Sequence, residues 1–264
     1  MQRNSSSLAC IVVLITGVNP KGIGYGIAEA IAAQNPALII LTYRSKSKSD
    51  DVISTLRAKY PLVQYRPLKL DLGSQMSVRG AAKEVNQWPE NIDVLINNAG
   101  VMSVPGRQLR DGVDIHFATN YLGHFLFTNL ILNKLLLSAQ TSGPGLTRVI
   151  NLSGGWHSLS PVRFDDLNFE GKPIPTDQEP NREKLAQLGF NVDDTYIPEV
   201  AYAQSKTSNI LHALYLTHHL SEQGVLSFAV CPGGKLIQAS WLFVINSRAN
   251  FIIRCPHGDR KARP

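Results

Sequence analysis

The sequence predicts an α/β fold: a doubly wound parallel sheet with helices on both faces, forming a single domain over 1–264. Three observations predict it. Short, unbroken apolar runs alternate with amphipathic stretches, the pattern of parallel strands covered on both faces and separated by helices. A glycine-rich turn, Thr16 to Gly24, joins the first apolar run to the first helical stretch. A length of 264 residues, 44% of them hydrophobic, suits one large α/β domain better than two small ones.

In chain order, Ile11 to Thr16 reads as a strand, Tyr25 to Gln34 as a helix and Ala37 to Tyr43 as a strand. Ser49 to Lys59 follows as a helix and Val63 to Leu68 as a strand, completing a βαβαβ half-sheet. The second half continues with a helix over Gln75 to Gln87, a strand at Val94 to Asn97, a long apolar helical segment within Asp111 to Leu137, and a strand at Arg148 to Ser153. A helix from Tyr202 to Glu222 leads into a sixth strand, Leu226 to Cys231. Right-handed crossovers then place ligands at the carboxyl ends of the strands. Two segments break the rhythm. The stretch 156–200 is rich in Pro, Asp, Asn and Glu and too long for an inert connection, so it reads as a substrate-side insertion with a short helix around Arg182 to Leu188. After Gly234 the pattern stops, and the last strand of the sheet is expected to be missing.

The net charge is +6 and the pI near 9.3, but the basic residues are scattered apart from Arg44 to Lys48 and Arg254 to Arg263. A nucleic-acid partner would need a clustered patch, and none is expected. Charged residues make up 17% of the chain, within the globular range, which excludes wholesale disorder. The three cysteines, Cys10, Cys231 and Cys255, lack metal-like or disulfide-framework spacing and read as reduced thiols. His124, His157, His212, His218 and His219 lie on separate segments without a carboxylate pattern, so they are assigned no metal and no relay. Met1 to Ala9 lacks the apolar stretch of a secretory signal, and no apolar run reaches the roughly 18 residues of a spanning helix. A cytoplasmic protein is expected.

Thr16-Gly17-Val18-Asn19-Pro20-Lys21-Gly22-Ile23-Gly24 sits between a strand and a helix. Glycines there let the backbone approach a pyrophosphate, and the helix N-terminus offers free N–H groups to its charge. This Rossmann-type turn resembles the Thr-Gly-x-x-x-Gly-x-Gly stretch of the short-chain dehydrogenase/reductases, with one extra spacer residue. The second strand ends Leu41-Thr42-Tyr43-Arg44. An acidic group there would bind the ribose hydroxyl of NAD; Arg44, with Lys21 and the neighbouring Ser45 or Lys46, instead suits a phosphate, so NADP(H) is the expected cofactor. By the same resemblance Asp71 holds the adenine edge, and Asn97-Asn98-Ala99-Gly100 steadies the sheet beside the cofactor.

Tyr202-Ala203-Gln204-Ser205-Lys206 puts Tyr and Lys one helical turn apart on one face. A free phenol near pKa 10 is a poor proton carrier at neutral pH, and a nearby ammonium is expected to lower that value. The resemblance implies that Lys206 also binds the nicotinamide ribose, that Ser153 orients the substrate oxygen, and that Asn120 kinks a helix and holds a relay water. Hydride transfer to a carbonyl, with Tyr202 protonating the oxygen, or the reverse oxidation of an alcohol, is the implied reaction. Trp156 and His157 either line the substrate pocket or simply pack.

The long interval between Ser153 and Tyr202, and Asp165-Asp166-Leu167-Asn168 within it, resemble the retinol-dehydrogenase-like and WW-domain-oxidoreductase-like branch. That branch implies an apolar or bulky substrate; a reductase of fungal secondary metabolism fits equally. The resemblance covers 10–234 and includes Pro232-Gly233, a turn near the nicotinamide. Apolar faces on Tyr121 to Leu137 and the helix from Tyr202 permit a helix-paired homodimer, as in the family. The tail 235–264 looks foreign to the family. A retained intron would read this way, since Gly234-Lys235 can be encoded by a splice-donor-like GGTAAG, and a continuous coding exon through Lys235 would reject that. The alternative function is a truncated, non-catalytic NADP-binding protein.

Overall fold

The computed structural model describes residues 10–143 and 145–233 and the backbone of 243–245. The chain runs β1 (Val12–Ile15), α1 (Ile23–Ala32), β2 (Leu38–Tyr43), α2 (Lys46–Lys59), β3 (Gln64–Lys69), α3 (Gln75–Gln87) and β4 (Val94–Asn97). A small hairpin, β5 (Leu109–Arg110) and β6 (Val113–Asp114), precedes α4 (Ile115–Phe117), a π-helical turn (Ala118–Leu122), α5 (Gly123–Leu130) and α6 (Leu132–Thr141). Then come β7 (Thr147–Leu152), α7 (Arg182–Gln187), α8 (Pro198–Leu220), β8 (Val225–Cys231) and β9 (Phe243–Ile245).

The main sheet has the order β3-β2-β1-β4-β7-β8-β9, and every pair among its first six strands is parallel. The unbroken apolar character of β1 follows from burial on both faces. Val12 and Leu14 point to one core with Leu38, Ile40, Val78, Phe127 and Leu216. Val13 and Ile15 point to the other with Ile39, Leu41, Ala28, Val52 and Leu56. Helices α3, α5, α6 and α8 therefore cover one face and α1 and α2 the other.

Three expectations need correction. The apolar stretch 111–137 is not one helix: it begins in the β6 turn, widens to a π turn around Asn120, and breaks at Ile131, whose backbone lies at φ −104°, ψ 10°. Helix α8 starts at Pro198 rather than Tyr202, because proline suits a first helical position. The sheet does not stop at β8, since β9 pairs with it antiparallel at Ala229↔Ile245, Val230↔Val244 and Cys231↔Phe243. The rest of the tail lies outside the described residues.

The insertion is docked, not loose. Asp166 accepts from the Glu170 and Gly171 amides at 2.7 and 3.2 Å and pairs with Arg163 at 3.0 Å. The Asn168 side chain accepts from Asp114 N at 2.9 Å and donates to Gly112 O at 3.0 Å. Gln204 of α8 accepts from Arg163 N at 3.0 Å and donates to Leu167 O at 3.1 Å. Leu159, Phe169, Leu185, Ile197 and Val200 form a third apolar cluster beneath it. Among the described residues, no single helix is long and apolar enough to cross a membrane.

Gly123 marks a close approach of α5 to the chain after β3: a Cβ there would collide with the backbone carbonyl oxygen of Leu72 and lie 3.0 Å from its carbonyl carbon. Gly123→Ala should therefore destabilise by roughly 1–3 kcal/mol despite the better helix propensity of alanine, read as a lower urea midpoint. An unchanged or raised midpoint would contradict this contact.

Candidate active site

The strand order reverses between β1 and β4, and a cleft of about 540 Å³ opens there at the carboxyl ends. Its floor is made by glycines that nothing else could replace. Gly17 adopts φ +70°, and a Cβ on it would lie 2.6 Å from Ala99 Cα. A Cβ on Gly24 would lie 2.6 Å from Asn98 Nδ2 and 2.7 Å from Gly17 O. Gly22 caps α1 without any side-chain hydrogen bond, leaving first-turn N–H groups for an anion.

The extra residue of the turn is absorbed by a Gly22 N to Asn19 O bond at 3.0 Å, with Lys21 in left-handed backbone at φ 61°. Lys21 is exposed and is not among the residues that line the cleft. Arg44 and Asp71 do line it, together with Ser45 and Lys48. Lys48 was visible only as the last member of the basic group 44–48; its inward placement needs the first turn of α2.

Thr16 and Asn98 join the ends of β1 and β4. The Thr16 hydroxyl accepts from the Asn98 and Ala99 amides at 2.9 and 3.0 Å, while Asn98 Nδ2 donates to Thr16 O and Gly17 O at 2.7 and 3.1 Å. Asn97 lies deeper, donating to Thr128 Oγ1 and Asn151 Oδ1. Gly100 sits where a Cβ would be 3.1 Å from Asn120 Oδ1 and 3.7 Å from Lys206 Nζ.

Those contacts bring the four expected polar residues together. Asn120, in the π turn, accepts from Val101 N at 2.7 Å and donates to Val101 O and Ser205 Oγ at 2.9 Å each. Lys206 Nζ donates to Leu152 O at 2.9 Å and stands 5.4 Å from the centroid of the Tyr202 ring. Ser153 Oγ donates to Lys206 O at 2.9 Å, and the Tyr202 hydroxyl lies 3.9 Å from the position of a Gly154 Cβ. Ser103 Oγ donates to Glu199 Oε1 at 2.8 Å, tying the loop beyond Gly100 to the start of α8. Pro232 and Gly233 follow β8 directly, and Gly233 takes the left-handed φ of 88°. Trp156 packs edge-on against Phe190 at 6.3 Å, and the exposed His157 bonds back to Gly154 O at 2.7 Å.

The electrostatics differ from the sequence expectation. Burial pushes the Tyr202 phenol up to about 12, with a lesser upward contribution from Cys231, instead of the expected lowering by Lys206. The ammonium lies over the ring and is engaged with the Leu152 carbonyl. Burial in turn pulls Lys206 down to about 8.

The family model described as short chain dehydrogenase matches residues 11–154. The chain belongs to the short-chain dehydrogenase family. It is 41% identical over 224 residues to oxidoreductase fscI of Fusarium equiseti, covering 84% of this chain and 86% of that protein. It is 35% identical over 237 residues to retinol dehydrogenase 12 of Bos taurus, covering 89% of this chain and 65% of that protein, so it spans just under two thirds of that relative. NADPH-bound carbonyl reductase from chicken fatty liver superposes with a TM-score of 0.62 at 22% identity, over 89% of this chain and 82% of that one, a likeness of fold. This short-chain dehydrogenase is thus an oxidoreductase of the retinol-dehydrogenase-like branch, with a fungal relative among its matches.

The buried lysine makes stability depend on pH. The folded state holds the Lys206 proton less readily, at about 8, than the unfolded chain at 10.5, so the penalty of burying the ammonium is full below about pH 8 and is relieved as pH rises to 10.5. The unfolding free energy of the wild type should rise relative to that of Lys206→Met across this window in urea titrations. A constant difference between the two would contradict the buried ammonium.

Proposed function

We propose that this chain is an NADP(H)-dependent oxidoreductase that reduces a carbonyl, or oxidises an alcohol, with Tyr202 as proton donor or acceptor. The observation that carries the reading is the meeting of Lys206, Asn120 and Gly100 beside a glycine-floored cleft, where a Cβ on Gly100 would stand 3.7 Å from Lys206 Nζ. The residues present fit a nicotinamide dinucleotide phosphate. The side-chain-free wall of Gly17 and Gly24 and the uncapped N-terminus of α1 suit a pyrophosphate. Arg44, Lys48 and Ser45 suit a phosphate on the adenosine ribose, and Asp71 the adenine edge. Ile23, Asn98, Ala99 and Gly100 complete the cofactor wall, and Lys206 faces the nicotinamide side.

When bound, NADPH supplies the hydride, and NADP⁺ accepts one. The chain's own groups handle the oxygen and the proton. A phenol held up near 12 keeps its proton at neutral pH and is ready to release it to a developing alkoxide, which is far more basic than a carbonyl. The Lys206 ammonium then steadies the phenolate that remains. Ser153, whose proton rests on the Lys206 carbonyl, turns it toward the substrate oxygen. The similarity to retinol dehydrogenases favours an apolar or bulky substrate. Exposed Leu211, Leu214 and Tyr215 on α8 give a homodimer an apolar face.

An NADPH fluorescence titration run beside a panel of carbonyl compounds tests this reading. Saturable binding with turnover supports it, whereas binding without turnover points to a non-catalytic NADP-binding protein. Tyr202→Phe should lower turnover by about 10²- to 10⁴-fold while NADPH affinity stays unchanged; equal turnover would remove Tyr202 from the chemistry. Arg44→Ala should weaken NADPH by about tenfold or more and leave NADH untouched, because it removes a charge-assisted contact. Parallel weakening of both cofactors would place Arg44 away from the extra phosphate.

A further inference from the structure

His124 is a fully buried imidazole that the proposed chemistry does not use, and both of its nitrogens are engaged. Nε2 lies 2.8 Å from Thr16 Oγ1 and Nδ1 lies 3.0 Å from Asn120 O. The Thr16 oxygen already accepts from the Asn98 and Ala99 amides, and its single proton has two takers: His124 Nε2 at 2.8 Å and Ile96 O at 3.4 Å. The shorter contact takes it, so Nε2 is bare. The ring proton then sits on Nδ1 and is donated to the Asn120 carbonyl. A directed chain results, from the Asn98 and Ala99 amides through Thr16 and His124 to Asn120.

We propose that His124 is a positioning residue, a strut that ties the cofactor turn to the Asn120 π turn and so sets cofactor binding and Lys206 alignment together. This rests on the proposed function above. At one end, Thr16 holds the amides of the strand-end turn against which Gly17 is packed, with Ala99 Cα only 2.6 Å from a Gly17 Cβ. At the other, the Asn120 side chain is wholly occupied by Val101 and Ser205, so its carbonyl is the part of the residue left to be set by a neighbour. Asn120 in turn holds Val101, next to the Gly100 that borders Lys206 Nζ. Burial pushes the imidazole down to about 3, so the neutral ring that the strut requires is kept throughout the working range. An apolar side chain in its place would leave the Thr16 proton only the longer contact to Ile96 O and would take the Nδ1 donor away from the Asn120 carbonyl.

The test compares His124→Leu, His124→Gln, Thr16→Val and the double variant Thr16→Val/His124→Leu, using NADPH titration, turnover and thermal melting. His124→Leu should raise the NADPH Kd by about tenfold and lower kcat by a similar factor. His124→Gln, whose amide can donate to the Asn120 carbonyl and accept from Thr16, should recover most of both. The double variant should be no worse than the worse single one, because both changes cut the same strut. If His124→Leu does not fold, His124→Gln and Thr16→Val carry the comparison. Additive losses, or equal Kd and kcat in wild type and His124→Leu, would overturn the strut alone. A wild type that binds no NADPH would overturn the proposed function as well. Long-range ¹H–¹⁵N correlation of ¹⁵N-histidine protein reads the tautomer without any cofactor, and a proton found on His124 Nε2 would also overturn the strut.

Discussion

The site depends on one steric constraint, the contact of the glycine turn with the end of β4. Gly17 lies so close to Ala99 that any side chain would collide with backbone, and Thr16 and Asn98 exchange hydrogen bonds across the same seam. With the two strand ends closed in this way, the start of α1, which no side chain caps, lines the cleft at Gly22, Ile23 and Gly24. The reversal of strand order at β1 and β4 makes the cleft, and the seam shapes its floor.

Helix α8 supplies the other half. It runs from Pro198 to Leu220 with many polar residues buried, and those beside the cleft are matched, whereas the buried His212 further along has no hydrogen-bond partner among the described residues. Gln204 holds the insertion, Ser205 bonds to Asn120, and Lys206 bonds to the end of β7. Burial moves Tyr202 and Lys206 in opposite directions, because each loses solvation of its charged form. The phenol is thereby kept protonated, and the ammonium is brought nearer to releasing its proton.

The insertion is positioned by the same economy of buried polar pairs. Asn168 clamps the β5–β6 hairpin, and the Tyr196 hydroxyl donates to Asp114 Oδ2 at 2.9 Å. Asp114 also caps α4 through the His116 and Phe117 amides, so the insertion and the Asn120 segment share one anchor. The Asp165-Asp166-Leu167-Asn168 stretch, which in sequence served only as a mark of resemblance, is therefore a docking element.

Local periodicity and glycine placement determined the order of strands and helices, the glycine turn, and the face shared by Tyr202 and Lys206, because these depend on neighbours within a few positions. Tertiary structure alone decided the rest. The Asn19–Gly22 turn absorbs the extra residue of the glycine loop with Lys21 in left-handed backbone, and Lys48 reaches the cleft only through the first turn of α2. His124 carried no signal beyond standing one turn after Asn120; its part depends on Thr16, which is 108 positions away in the chain and 2.8 Å away in space. The phenol of Tyr202 was expected to be lowered by a lysine one turn away, and it is raised because the shift follows burial by the whole fold, a quantity that no short segment of sequence contains.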